Sequence, residues 1–306
     1  MKQYTLLLVL LASLRSTSAQ AAGANAVELG LRERKALSRE ITLAKTASPQ
    51  AFEQLSAVRM QAPALYTLKR GRTAVMVPRL VALGPSALLP MLEALAISSD
   101  AHKDMSDEAY ATWRASLVEA VGRLRDARSL PYLLALLQHA PASDATVLGA
   151  AGRALGQLRS EEAVAALMDA SSSPERTRAA LIGLGEARRI SATKRLAVML
   201  RSEKNDSQLM GTALKALGNA GSSWAWETLG GATTGEGEEV RKMAALELVH
   251  AWARLSSESR DEAFVALSMT EHRDIPAMVQ TLKAEKGADV AALDALLVRV
   301  KQLKLR

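Results

Sequence analysis

Chemistry in a 306-residue chain without cysteine has to come from histidines, carboxylates, hydroxyls or a glycine-rich backbone. The four histidines, His102, His139, His250 and His272, are scattered, and no two form a His-x-x-x-His pair. Metal binding needs convergent imidazole or thiolate ligands, and this set provides no recognisable group of them. Ser222-Ser223 sits at a predicted helix start with no Gly-x-Ser-x-Gly elbow around it, so its hydroxyls suit helix capping. Gly183-Leu184-Gly185 is half of a dinucleotide fingerprint and lacks both the third glycine and a preceding strand. The segment Gly230 to Gly237 lacks the Lys-Ser/Thr of a phosphate loop, and Glu236, Glu238 and Glu239 would repel an anion there. The expectation is a protein that is not an enzyme, with no cofactor and no metal.

The elements around these residues follow a repeat. A small residue near a helix end is followed eleven residues later by a large apolar one: Gly84 to Leu95, Gly122 to Leu133, Gly156 to Leu167, Gly185 to Leu196, Gly218 to Leu229, and a degraded Ala253 to Phe264. These anchors stand 38, 34, 29, 33 and 35 residues apart. A fixed short interval inside a variable longer one marks a rigid supersecondary unit joined by loops of different length. Leu80, Val118, Leu181, Leu214 and Val249 stand four residues before their anchors, at helical spacing, whereas Gly152 breaks the pattern. Polar turns such as Arg125-Asp126 and Arg159-Ser160 separate a first helix from a second. Each unit is therefore an antiparallel helix hairpin that must stack on its neighbours to bury its apolar stripe.

The segments Ala120-Val121-Gly122-Arg123-Leu124, Ala154-Leu155-Gly156-Gln157-Leu158 and Ala216-Leu217-Gly218-Asn219-Ala220 resemble the HEAT-repeat family, in particular the short repeats of phycobilisome lyases. Val240-Arg241 matches the family's Val-Arg early in the first helix, Thr177-Arg178 matches it in part, and Val147-Leu148 and Leu209-Met210 depart from it. The resemblance covers roughly residues 73 to 269 and implies an α-solenoid of six to seven repeats, used mainly as a binding scaffold and only occasionally as an enzyme. It also implies that the second helices line the concave side.

Composition agrees with an all-α fold. Aromatic residues make up 3% of the chain and apolar residues 49%, so the core is built from good helix formers such as Ala, Leu and Met. Pro78, Pro90 and Pro131 are the prolines expected to threaten helix interiors, and Pro131 falls in a first turn, where it is tolerated. Residues 1–21 read as a signal peptide: Lys2, an apolar run from Thr5 to Leu14, and small residues at Ala19 and Ala21 before a cleavage site. The run is shorter than the roughly 20 residues that span a bilayer. Residues 22–72 read as a helical lead-in, with a second helix running from Ser48-Pro49 toward Leu68, then 73–269 as repeats and 270–306 as a helical cap. The expected location is exported, periplasmic or secreted.

Without a catalytic set, function is expected on a surface. The sixth position after the anchor reads Pro90, Arg128, Glu162, Ser191, Trp224, Ser259, and the tenth reads Ala94, Tyr132, Ala166, Arg195, Thr228, Ala263, together a solvent stripe on the second helices. The eighth position, with Trp226, faces the core. Arg128, Tyr132, Arg195 and Trp224 on this stripe, with Arg188, Arg189 and Lys194 of the fourth repeat, are the partner-binding candidates, since exposed aromatics and arginines dominate binding hot spots. The net charge is +7, with a basic concentration in the fourth repeat at Arg188, Arg189, Lys194, Arg195, Arg201 and Lys204. The reading is a non-catalytic scaffold for a protein partner, possessing an acidic surface if the basic patch takes part. The alternative is an anionic envelope polymer or nucleic acid bound through the fourth repeat, with export arguing against nucleic acid, and a lyase-type enzyme stands third because no catalytic constellation is recognisable.

Overall fold

The computed structural model describes residues 29–68, 75–97, 104–202, 206–229, 235–303 and 305. The leader at 1–21, His102, Lys204 and most of Gly230 to Gly237 lie outside the described residues. Among the described residues there are sixteen α-helices and no strand. The lead-in is α1 (Leu31–Ala47) and α2 (Pro49–Leu68). Hairpins follow: α3 (Val77–Ala82) with α4 (Leu88–Ala96), α5 (Asp107–Leu124) with α6 (Leu130–His139), and α7 (Ala145–Leu158) with α8 (Glu161–Ala170). Next come α9 (Thr177–Ala187) with α10 (Ile190–Arg201), α11 (Ser207–Ala220) with α12 (Ser223–Thr228), α13 (Gly235–Arg254) with α14 (Ser257–Thr270), and α15 (Ile275–Lys283) with α16 (Val290–Val300). The fold is an all-α solenoid.

Local chemistry sets the helix ends. Ser106, Asp144, Ser160, Asp206 and Ser222 each accept a bond from the amide three residues on, which satisfies a donor the helix cannot. Ser222 is thus a helix cap. α5, α7 and α9 each stop at a left-handed arginine, Arg125, Arg159 and Arg188, three residues past the anchor glycine. A guanidinium there faces the negative end of the helix dipole. Arg159 uses it further, donating from Nε to the Ala187 carbonyl at the end of the next first helix, 3.3 Å away.

The anchor glycines let first helices touch backbone to backbone. A Cβ on Gly122 would lie 2.5 Å from Ala154 Cα, one on Gly185 2.7 Å from the Ala216 carbonyl oxygen, and one on Gly218 2.9 Å from Ala266 Cα. On Gly152 and Gly156 it would overlap the carbonyl oxygens of Ala179 and Gly183. The departure at Gly152 is therefore part of the same seam. Second helices touch one another sparsely, whereas α5, α7, α9 and α11 pack in a tight row. Hairpins held close along one row and splayed along the other bend toward the close row. The first helices consequently line the concave side, which corrects the expectation that the second helices do.

The last copy of the repeat exchanges its helices. Of α13 and α14, α11 packs mainly on α14 and α10 on α13, so α14 continues the first-helix row and α13 the second. The cause is α12, which at six residues is too short to cover α10, whereas α13 has twenty. Arg201 of α10 pairs with Glu247 of α13, and Arg189 pairs with Glu236 at 3.2 Å. Asp261, in a nominal core position of the repeat, is accordingly exposed and meets Arg299 of α16 at 2.7 Å. α15 and α16 close on α13, with the Trp252 indole N–H donating to the Ala292 carbonyl at 2.8 Å.

Two proline readings change. Pro78 and Pro131 sit in first turns, and the proline inside a helix is Pro63 of α2, which was not among the three expected. Pro90 is buried in α4 and does not belong to a solvent stripe.

Candidate interaction surface

Across the concave side, α5 presents Ala115 and Glu119, α7 presents Thr146, Gly149 and Arg153, and α9 presents Arg178 and Ile182. Within each helix these residues are three or four apart, so they share one face. Together they line a groove of about 400 Å³ running over three repeats. Glu119 is buried in its wall and bridged by Arg123 at 2.8 Å and Arg153 at 3.1 Å. Glu175 and Arg178 stand exposed at the α9 rim. Gly149 differs from the seam glycines. A Cβ there would meet only Ile182 Cδ1, at an ordinary 3.7 Å, so packing does not require glycine and its absence of side chain leaves the groove floor open.

The expected second-helix stripe does not form one surface. Trp224 is 75% exposed, as expected, and Trp226 is buried, with its N–H donating to the Ala220 carbonyl at 2.8 Å and Arg159 over its ring at 5.2 Å. Tyr132 is buried, which corrects its placement in solvent: α1 comes close to it, and burial followed by Glu40 and Glu33 pushes its hydroxyl pKa up. Ala263 is buried as well, because α14 serves as a first helix. Arg128 forks onto Asp126, which raises its pKa, with Nη2 2.7 Å from Oδ2.

The arginines of the basic fourth repeat are engaged from within the chain. Arg188 donates to the Glu186 carbonyl at 3.1 Å, and Arg189 pairs with Glu236. Arg195 donates to the hydroxyls of Ser171 at 2.7 Å and Ser172 at 2.9 Å, tying α10 to the end of α8. Arg201 is engaged by Glu247, whose hydrogen bond raises its pKa. Lys194 is exposed. Most of these cations thus join neighbouring repeats.

A buried polar node went unseen in the sequence. Arg241, 1% exposed, donates from Nη2 to the Thr270 carbonyl at 3.0 Å and the Glu271 carbonyl at 3.4 Å, closing the end of α14. His272 is fully buried; its Nδ1 accepts the Asp274 N–H at 3.2 Å, and its Nε2 lies 3.4 Å from Glu238 Oε1. Burial holds its pKa below the ordinary value and outweighs the attraction of Glu238 and Asp274. With Nδ1 accepting, a neutral ring carries its proton on Nε2, which has no hydrogen-bond partner. A Glu-x-x-His spacing also exists at Glu247 and His250, but Glu247 is occupied by Arg201. No group of three metal-ligating side chains occurs among the described residues. None of the described helices is long and apolar enough to cross a membrane.

Residues 102–185 match the family described as HEAT repeats. No curated protein matches the chain. Among solved structures, human deoxyhypusine hydroxylase in complex with glycerol is similar at 21% identity over 83% of this chain and 98% of that chain, with a TM-score of 0.32.

Proposed function

We propose that this chain, whose residues 102–185 match HEAT repeats, is an exported, non-catalytic scaffold that holds a segment of a protein partner in its concave groove. The observation that carries this reading is the groove over α5, α7 and α9, whose floor is small or apolar and whose charged walls sit on rigid helices. HEAT repeats commonly serve protein interaction, and sites are most exact when built on helices held by their packing. Both carboxylate oxygens of Glu119 are taken by Arg123 and Arg153, so it serves as a fixed part of the groove wall. Export rests on the pattern of residues 1–21, with the mature chain beginning near Ala22. Binding of an anionic polymer through the fourth repeat gains less support, because Arg188, Arg189, Arg195 and Arg201 are held by internal partners.

A photo-crosslinking amino acid at Thr146, in the groove, and another at Trp224, on α12, separate the surfaces in the native cell. A discrete protein adduct from the Thr146 position alone supports the groove. An adduct from the Trp224 position alone overturns it. N-terminal sequencing of the recovered chain tests export, since a chain starting at Met1 would contradict cleavage.

A further inference from the structure

The outer side of α16 carries a stripe that its own chain leaves open. Ala291, Asp294, Ala295, Val298 and Lys301 are exposed and follow one another at three- and four-residue steps, so they form one face. Val298 is 62% exposed and Val290, at the edge of the stripe, 46%. Beside the stripe, between α15 and α16, runs a groove of about 700 Å³ with Pro276 and Gln280 on one wall, Leu297 and Val298 on the other, and Leu303 at its end.

The charges on this face complement themselves. Asp294 and Lys301 are two turns apart, and the midpoint between them falls at Leu297 and Val298. When α16 lies antiparallel to its own copy about a two-fold axis through that midpoint, each Asp294 faces the other copy's Lys301. The same axis brings Val298 to the level of the other copy's Leu297. A two-fold contact requires this reciprocity, with residue i meeting j and j meeting i. Within one chain Lys283 already holds Asp294, and the Lys301 ammonium meets no carboxylate among the described residues. A second copy supplies the missing partner.

We infer that α16 is a dimerisation helix and that the occupant of its groove is α16 of a second copy of this chain. The helix is roughly 16 Å long. A contact of that length stands below the size of permanent interfaces, so the dimer is concentration-dependent. This inference is independent of the concave groove, which lies on other helices.

Sedimentation velocity of the full chain over a range of concentrations tests it. The expected result is a monomer–dimer equilibrium. Asp294→Lys alone places two lysines opposite each other, Lys301→Asp alone places two aspartates opposite each other, and each weakens the dimer by about tenfold or more. Mixing the two single variants restores dimerisation, because the mixed pair has complementary charges at both contacts. Circular dichroism melts check that both variants fold, and Val298→Asp gives a monomer by burying a charge at the axis. A wild-type monomer at every concentration, a dimer indifferent to the reversals, or a mixture that fails to associate would each overturn the proposal.

Discussion

The two rows of this solenoid are held together by opposite means. Along the first-helix row, α5, α7, α9, α11 and α14 approach so closely that glycine and alanine meet through their backbones. Along the second-helix row the helices stand apart and long side chains span the gaps, Arg195 reaching Ser171 and Ser172, and Arg201 reaching Glu247. The close row fixes the curvature and has no room to adjust, while the splayed row tolerates exchange of one bond for another. The difference teaches where a substitution will be felt: an added atom is costly in the first row, and a removed one matters little on the outside of the second.

The largest break should come from the close row. Gly152→Leu pushes a side chain into the Ala179 carbonyl, and overpacking with backbone displacement should cost several kcal/mol in a denaturant titration. A variant as stable as wild type would mean that the row can open freely.

Next in size is a paired test within α12. Trp226→Ala removes a buried ring with a satisfied N–H and should cost about 3 to 5 kcal/mol. Trp224→Ala removes an exposed ring and should leave the melt nearly unchanged. Similar losses from both would show that α12 packs more symmetrically than its burial indicates.

The exchange of α13 and α14 between rows is sharpened by acid. His272, in the node beside α13, has a folded pKa depressed below 6.5, so its contribution to stability is present above 6.5 and is lost as pH falls through the folded value. The slope reaches at most about 1.4 kcal/mol per pH unit over that window. His272→Asn keeps an acceptor for the Asp274 N–H and should remove this part of the acid sensitivity. Equal acid dependence in wild type and variant would place the sensitivity elsewhere.

Much of the fold was legible because hairpin stacking repeats itself. The eleventh positions Leu95, Leu133, Leu167 and Leu196 are all buried, and the turns at Arg125 and Arg159 fall where the pattern puts them. The direction of curvature was not legible, because a glycine anchor can mark a turn or a close approach. Gly84, with φ at 77°, is the turn; Gly122, Gly156, Gly185 and Gly218 lie inside helices and are close approaches. The candidate surface followed that choice, so the stripe was drawn on the second helices and the groove at Glu119, Arg153 and Arg178 was passed over. Tyr132 was misplaced for another reason: it is buried with Glu40 and Glu33 of α1 near enough to act on its hydroxyl, some ninety residues away and beyond the reach of any local period. The exchange of α13 and α14 depends on how short α12 is, which a degraded copy at Ala253 does not reveal.

Close approach in the first-helix row sets the shape of the molecule, and one pair of thermal melts tests it within a single helix. Gly149 and Gly156 both lie in α7, so replacing either by alanine brings the same gain in helix propensity, about 1 kcal/mol. At Gly149 the new methyl finds open groove, and Gly149→Ala should raise the melting temperature. At Gly156 it meets the Gly183 carbonyl, and Gly156→Ala should lower it. Opposite signs are what the tightly packed row predicts; two increases would contradict it.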